Sequence, residues 1–313
     1  MSTLNSTLAG KVVVVTGGGG GIGRAVCEHM ATQGARVIVN DLGVTLAGDQ
    51  AGVNAVDVVV EAIRAKGGQA VANTMSVTDR TSGPAIVEQA MDEFGQLDIV
   101  INNAGIIRMA PFEEMTLSNW QAVFATNLLG AVYLSHAASQ QFVKQGSGSY
   151  VHLTSASGLI GSTQQVNYAS AKLGIVGLSS ALARDLGPLG IRSNCIAPSS
   201  TSRMTELTDN ARKHLLTPEA AEKLRLARLA SMPENMAPVI GFLGSDAAHQ
   251  LNGQIVGARG NELYLYSQPR AVRDVRSSGG WTQDWFAENL AQVWAAYQTK
   301  LDVITDVFSW APA

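Results

Sequence analysis

A chain of 313 residues, 46% of them hydrophobic and 15% charged, carries enough apolar side chain for one large core and too little charge for an extended disordered region. The net charge of -3, with no basic cluster, argues against nucleic acid or an anionic membrane as a partner. Two cysteines, Cys27 and Cys195, cannot form a disulfide framework, the five histidines lack metal-ligand spacing, and neither a membrane-length apolar run nor a signal-peptide pattern is present, so no metal and a cytoplasmic location are expected.

Residues 11–16, KVVVVT, read as a short buried parallel strand, followed by TGGGGGIG at 16–23 and the helical pattern RAVCEHMATQG. A glycine-rich turn between a strand and a helix start lets the backbone approach a pyrophosphate, and the helix offers unpaired N–H groups to the anion. Thr16, Gly17, Gly21 and Gly23 are therefore candidate dinucleotide contacts. The second strand, ARVIVND, ends in Asp41, where a carboxylate can accept hydrogen bonds from the adenosine ribose. A 2′-phosphate would meet like charge there, and the glycine loop holds no Lys or Arg to welcome one, so NAD is expected over NADP. The alternative is Asp41 as a turn or cap residue.

Residues 53–66 predict a helix that stops at Gly67-Gly68, and QAVANTMSV predicts the third strand. A helix over 84–94 leads to LDIVINNAG, a fourth buried strand ending in Asn102, Asn103, Ala104 and Gly105. Small residues suit a place where a cofactor crosses the sheet, and the Asn amides can brace the turn. The long helix that follows, NWQAVFATNLLGAVYLSHAA, carries Asn127 at its middle, a poor interior helix residue that hints at a task.

The apolar strand YVHLTS delivers Ser155 to its end, and Tyr168 and Lys172 lie four apart, one turn of a helix, so that an ammonium sits beside a phenol. A neighbouring cation favours the phenolate, which makes the pair a candidate proton-exchange device with the Ser155 hydroxyl as its hydrogen-bonding partner for substrate. GIRSNCIAPSS predicts a sixth strand, residues 199–232 one or two helices, and the stretch from Pro233 to Gly260 a helix and a last strand. Beyond it, Trp281, Trp285, Phe286, Val293, Trp294 and Tyr297 recur at helical spacing, predicting a helix that buries this stripe against its own domain, a partner subunit or the substrate entrance.

These elements together resemble the short-chain dehydrogenase/reductase family over residues 8–260: T-G-x-x-x-G-x-G at Thr16, Gly17, Gly21 and Gly23, N-N-A-G at 102–105, and a Ser thirteen residues before Tyr-x-x-x-Lys, met by Ser155, Tyr168 and Lys172. The resemblance implies an α/β fold, a Rossmann-type doubly wound parallel sheet in a single domain with a substrate lid at 199–232 and a C-terminal helical extension at 261–313. It implies a tetrad of Asn127, Ser155, Tyr168 and Lys172, with Asn127 opening its helix locally and holding a relay water. Lys172 lowers the tyrosine pKa and binds the nicotinamide ribose. Around NAD it implies Thr16, Gly17, Gly21, Ile22, Gly23, Asp41, Asn103, Ala104, Gly105, Tyr168, Lys172 and Pro198. Family members pair through the Asn127 and Tyr168 helices, so a homodimer or homotetramer is expected.

Two departures stand out. Met75 and Ser76 occupy the place of the usual Asp that contacts adenine, which leaves Ser76, Val77 or backbone groups to hold the base. Pro198-Ser199 replaces the usual Pro-Gly, and Arg203 stands where a Thr usually reaches the nicotinamide; Arg203 either pairs with an anionic substrate group or faces solvent, and Thr201 or Thr205 can supply the hydroxyl. Met204, Leu207, Leu215 and Leu216 are candidate lining for an apolar substrate. The strings VNDLG, GGQAVAN, SASG and SRMTE are similar to the (3R)-hydroxyacyl-CoA dehydrogenase unit of multifunctional beta-oxidation enzymes, implying an acyl-CoA substrate and a place in lipid metabolism. A free steroid, terpenoid or small alcohol is the competing substrate, and a nucleotide-sensing regulator without turnover the competing class.

Overall fold

The computed structural model describes residues 7–43, 55–200, 231–298 and 304–307, with five isolated positions between 217 and 226. Eight strands form one sheet in the order β3-β2-β1-β4-β5-β6-β7-β8: β1 (Val12–Thr16), β2 (Arg36–Asn40), β3 (Gln69–Asn73), β4 (Ile99–Asn102), β5 (Gly148–Leu153), β6 (Ile191–Ser199), β7 (Ile255–Arg259) and β8 (Glu262–Tyr266). The first seven pair in parallel. Parallel strands covered on both faces need continuous apolar runs, and Val12, Val13, Val14 and Val15 are all 0% exposed. At about 1.5 kcal/mol or more for each fully buried Val, that one strand is a substantial anchor of the core.

One layer holds α1 (Gly21–Thr32), α2 (Ala55–Ala65) and a late helix Pro233–Gly244, joined in a core of Val26, Met30, Val56, Ile63, Met236 and Ile240. The other holds α3 (Ser82–Phe94), α4 (Leu117–Phe124), α5 (Gly130–Gln145), the short α6 (Ala156–Leu159) and the long α7 (Val166–Leu186), with the late helix numbered α8. Its core joins Ile86, Leu134, Ala138, Phe142 and Tyr150. The sequence order reverses between β1 and β4, so their carboxyl ends open a crevice. Every candidate site residue from β1, β4, β5 and α7 arrives at this end.

One expectation needs correction. The strand at 255–259 is not the last: the chain turns at Gly260, φ +58°, and returns as β8, antiparallel to β7. The sheet therefore runs one strand past residue 260. In the single chain the aromatic stripe is uncovered. Trp281, Phe286, Trp294 and Tyr297 are exposed, in a segment of short helical turns over 283–294. Trp281 instead packs on Trp285 and Phe286. Cys27 in α1 and Cys195 in β6 are buried free thiols whose pKa values burial raises. Among the described residues no helix is long and apolar enough to cross a membrane.

Candidate active site

The glycine loop is stitched to the Asn-rich turn of β4. Thr16 Oγ1 accepts from the N–H groups of Asn103 and Ala104, each at 3.1 Å, while Asn103 Nδ2 donates to the carbonyls of Thr16 at 2.9 Å and Gly17 at 3.0 Å. This approach is why glycine is needed: a Cβ on Gly23 would lie 2.0 Å from the Gly17 carbonyl oxygen, and Gly17 has φ +66°. Gly21, at φ +51°, faces open space at the start of α1, whose N-cap Gly20 brings no side chain to the free N–H groups. An anion of pyrophosphate size fits that opening. Ile22 packs on the core beneath.

Asp41 is fixed by two backbone donors. Its Oδ2 accepts from Gly19 N at 3.0 Å and its Oδ1 from Gly43 N at 2.8 Å, so it caps a turn and faces the glycine loop at once. A carboxylate has about four acceptor positions, and two stay open to ribose hydroxyls. At the end of β3, Asn40 Nδ2 holds the Met75 carbonyl at 2.9 Å, and the Ser76 hydroxyl is engaged with Thr78 Oγ1 at 2.9 Å. Val77 lines a narrow crevice with Thr16, Ala104, Thr126, Asn127 and Gly130.

Asn127 lies in a π turn, Ala125–Leu129, between α4 and α5. The wide turn points its buried carboxamide across the sheet end, where Oδ1 accepts from Ile106 N at 2.8 Å and Nδ2 donates to Ile106 O at 3.0 Å. Two-point clamping fixes the loop that leaves β4 at Gly105.

Ser155 caps α6, its Oγ accepting from Ser157 N at 3.1 Å, and its hydroxyl draws the Tyr168 pKa down. Lys172 Nζ stands 5.8 Å from the Tyr168 ring centre and donates to Leu153 O at 2.8 Å. Thr154 Oγ1 pins the Lys172 carbonyl at 2.6 Å. The structure thus brings Ser155, Tyr168, Lys172 and Asn127 to one end of the sheet beside the glycine loop. In the chain alone, burial pushes the Tyr168 phenol up to about 12, with Ser155 only partly opposing it. Burial also pushes the Lys172 ammonium down to about 8.

Pro198 sits near the end of β6, half-buried and paired with Ala258. Arg203, Thr201, Thr205, Met204, Leu207, Leu215 and Leu216, with most of the proposed lid, lie outside the described residues.

Two polar residues escaped the sequence reading. Gln165 is buried three positions before Tyr168, a helical spacing that marks a shared face. His152 on β5 is 0% exposed, with Nδ1 3.0 Å from Asn102 Nδ2 and Nε2 unpartnered; its one signal was a polar residue amid an apolar strand. Burial pushes His152 down to about 3. Between the ordinary value of about 6.5 and that level, the unfolded chain binds a proton that the folded chain refuses, so stability falls as pH falls. Urea midpoints measured from pH 7 to 4 are expected to drop with a contribution from this group of about 1.4 kcal/mol per pH unit, and His152→Gln is expected to flatten the slope. An unchanged slope in the variant would assign the acid loss to other groups, of which half-buried His29, also lowered by burial, is the first.

A family model described as short chain dehydrogenase matches residues 11–216. The chain belongs to this family. A crystal structure of a short chain dehydrogenase from Mycobacterium avium superposes with a TM-score of 0.81 at 32% identity, covering 95% of this chain and 99% of that one. Peroxisomal multifunctional enzyme type 2 of Mus musculus is 40% identical over 78% of this chain, which spans only 31% of that relative's length. A 3-oxoacyl-[acyl-carrier-protein] reductase of Synechocystis is 33% identical over 82% of this chain and 98% of its own. The Rossmann-like single domain and the assignment as an oxidoreductase acting on CH–OH donors follow from this membership. Short-chain dehydrogenases use a nicotinamide dinucleotide, and the stitched glycine loop accommodates one.

Proposed function

We propose that this short-chain dehydrogenase interconverts a secondary alcohol and a ketone with NAD(H), on a 3-hydroxyacyl or 3-oxoacyl thioester of the acyl-CoA type. The observation that carries the reading is the buried Tyr168, whose pKa Ser155 draws down and whose ring centre lies 5.8 Å from the Lys172 ammonium. When bound, the nicotinamide supplies the acceptor or donor of hydride. Tyr168 exchanges the proton with the substrate oxygen, which Ser155 steadies by a hydrogen bond. Lys172 places positive charge below the phenol and favours the phenolate as the alcohol gives up its proton; in reduction the same proton moves outward. Asn127 holds the loop after β4 in place through both backbone groups of Ile106.

The acyl thioester is supported by the kinship with a 3-oxoacyl-[acyl-carrier-protein] reductase. NAD is supported by Asp41, whose fixed carboxylate would stand against a 2′-phosphate. Exposed Leu129, Val143 and Leu173 on the Asn127 and Tyr168 helices support a homodimer or homotetramer built through α5 and α7.

The test is oxidation of NADH and NADPH with acetoacetyl-CoA. The native protein is expected to prefer NADH, and Asp41→Asn to lose that preference by about tenfold, the worth of about 1.4 kcal/mol. Preference for NADPH in the native protein would overturn the role given to Asp41. Turnover of small alcohols without acetoacetyl-CoA reduction would overturn the thioester.

A further inference from the structure

The loop that leaves β4 is fastened to its surroundings at every second residue. Asn127 grips both backbone groups of Ile106. Asn167, the second residue of α7 and 0% exposed, donates from Nδ2 to the Arg108 carbonyl at 3.0 Å. Two residues on, Ala110 N donates to the Gln164 carbonyl at 3.1 Å. The last two ties run to the stretch that opens α7. Gln164 there holds φ +61°, the only non-glycine in the left-handed region among the described residues. A buried carboxamide and a costly backbone conformation are thus both committed to where this loop lies.

What the loop covers is the phenol. Ile106 and Ile107 are buried and pack with Val123 and Ala171 around Tyr168. Asn167 also holds the tyrosine's own backbone, its Oδ1 accepting from Tyr168 N at 2.7 Å. One carboxamide therefore ties the cover to the residue it covers. An apolar cover withholds water and so opposes the phenolate, the direction in which burial moves this group. Charged groups on the surrounding elements are few. Lys172 lies on α7 itself, α4 and α6 carry no charged residue, and the guanidinium of Arg108 on the loop reaches Asn119 Oδ1 at 3.4 Å.

We infer that residues 106–110 form a cover over Tyr168 that Asn127 and Asn167 hold shut, and that Asn167 is a positioning residue which acts through Tyr168 by keeping water from its hydroxyl. The cover is a property of the chain alone; its effect on turnover rests on the reaction proposed at Tyr168.

Phenolate absorbance during an alkaline titration, taken as the difference between each protein and its Tyr168→Phe counterpart, isolates this one tyrosine. In the native protein Tyr168 is expected to ionise above the ordinary value of about 10, and in Asn167→Ala to ionise about one unit or more lower, as water reaches the hydroxyl. Asn167→Ser, polar but too short to span to the Arg108 carbonyl, is expected to do the same. Hydrogen exchange at the amides of Ile106 and Ala110 is expected to quicken by about tenfold in both variants, while β1 keeps its protection. Alcohol oxidation is expected to follow the phenol, its pH profile moving to lower pH, with the NADH dissociation constant little changed. Loop amides that exchange no faster would overturn the clamp, and a phenol that stays in place while they do would overturn the cover. Loss of protection in β1 together with the loop in both variants would also overturn the inference, by showing a merely structural role. A shifted phenol with an unshifted rate profile would leave the cover standing and remove Tyr168 from the proton step.

Discussion

Tyr168→Phe is expected to lower kcat by about a thousandfold or more in both directions, the scale of losing a positioned general acid–base. The ring stays in its pocket with Ile106, Ile107, Val123 and Ala171, and the only group removed is the hydroxyl that Ser155 contacts. Folding is therefore expected to change by about 1 kcal/mol or less, the net worth of one hydrogen bond, and NADH affinity by less than about threefold. Paired measurements of turnover and NADH titration by fluorescence check this. Retention of more than a tenth of native turnover would remove Tyr168 from the proton step. Since burial sets the phenol at about 12, alcohol oxidation by the native protein is also expected to rise with pH across the neutral range, as the phenolate fraction grows.

Lys172→Met is expected to separate activity from stability. The ammonium is 4% exposed and its pKa is lowered to about 8, so at pH 7 the folded chain carries a buried charge that the unfolded chain would solvate. Between about 8 and the ordinary value of about 10.5 the unfolded chain binds the extra proton, hence native stability gains from a rise in pH through that window and bears the full cost below it. A Met of similar length removes a cost on the order of 3 kcal/mol, set against the single hydrogen bond to Leu153 O. Turnover is expected to fall at least a hundredfold while the urea midpoint at pH 7 holds or rises. A clearly lower midpoint would mean that the charge-assisted bond outweighs its desolvation.

Most of the parallel sheet was legible because both of its faces are covered, which forces unbroken runs such as KVVVVT and LDIVIN. The site was legible where a backbone constraint leaves a trace in residue type: Gly17 and Gly23 at close approach, Asn127 inside a helix. β8 escaped because ELYLY alternates on an exposed edge and follows a tight turn at Gly260, a weaker pattern than the family boundary that ended the reading there. The aromatic stripe gave helical spacing but not its cover, since spacing says which residues share a face and nothing about what packs on it; within the chain Trp281 finds Trp285 and Phe286. The height of the phenol's pKa was not legible for a related reason. Four residues of separation announces a neighbouring cation, but desolvation depends on Ile106, Ile107 and Val123, which are distant in the chain.

The π turn at Ala125–Leu129 also makes one long rod serve two neighbours. Before it, α4 packs on α7, with Val123 beside Tyr168; after it, α5 turns Leu134, Ala138 and Phe142 toward α3 and the sheet. Each helical residue rotates the face by roughly 100°, so losing one residue here would swing every later contact off its partner. The spacing between Val123 and Leu134 therefore sets two helix contacts at once, and a one-residue deletion in the middle of that rod would swing α5 off α3.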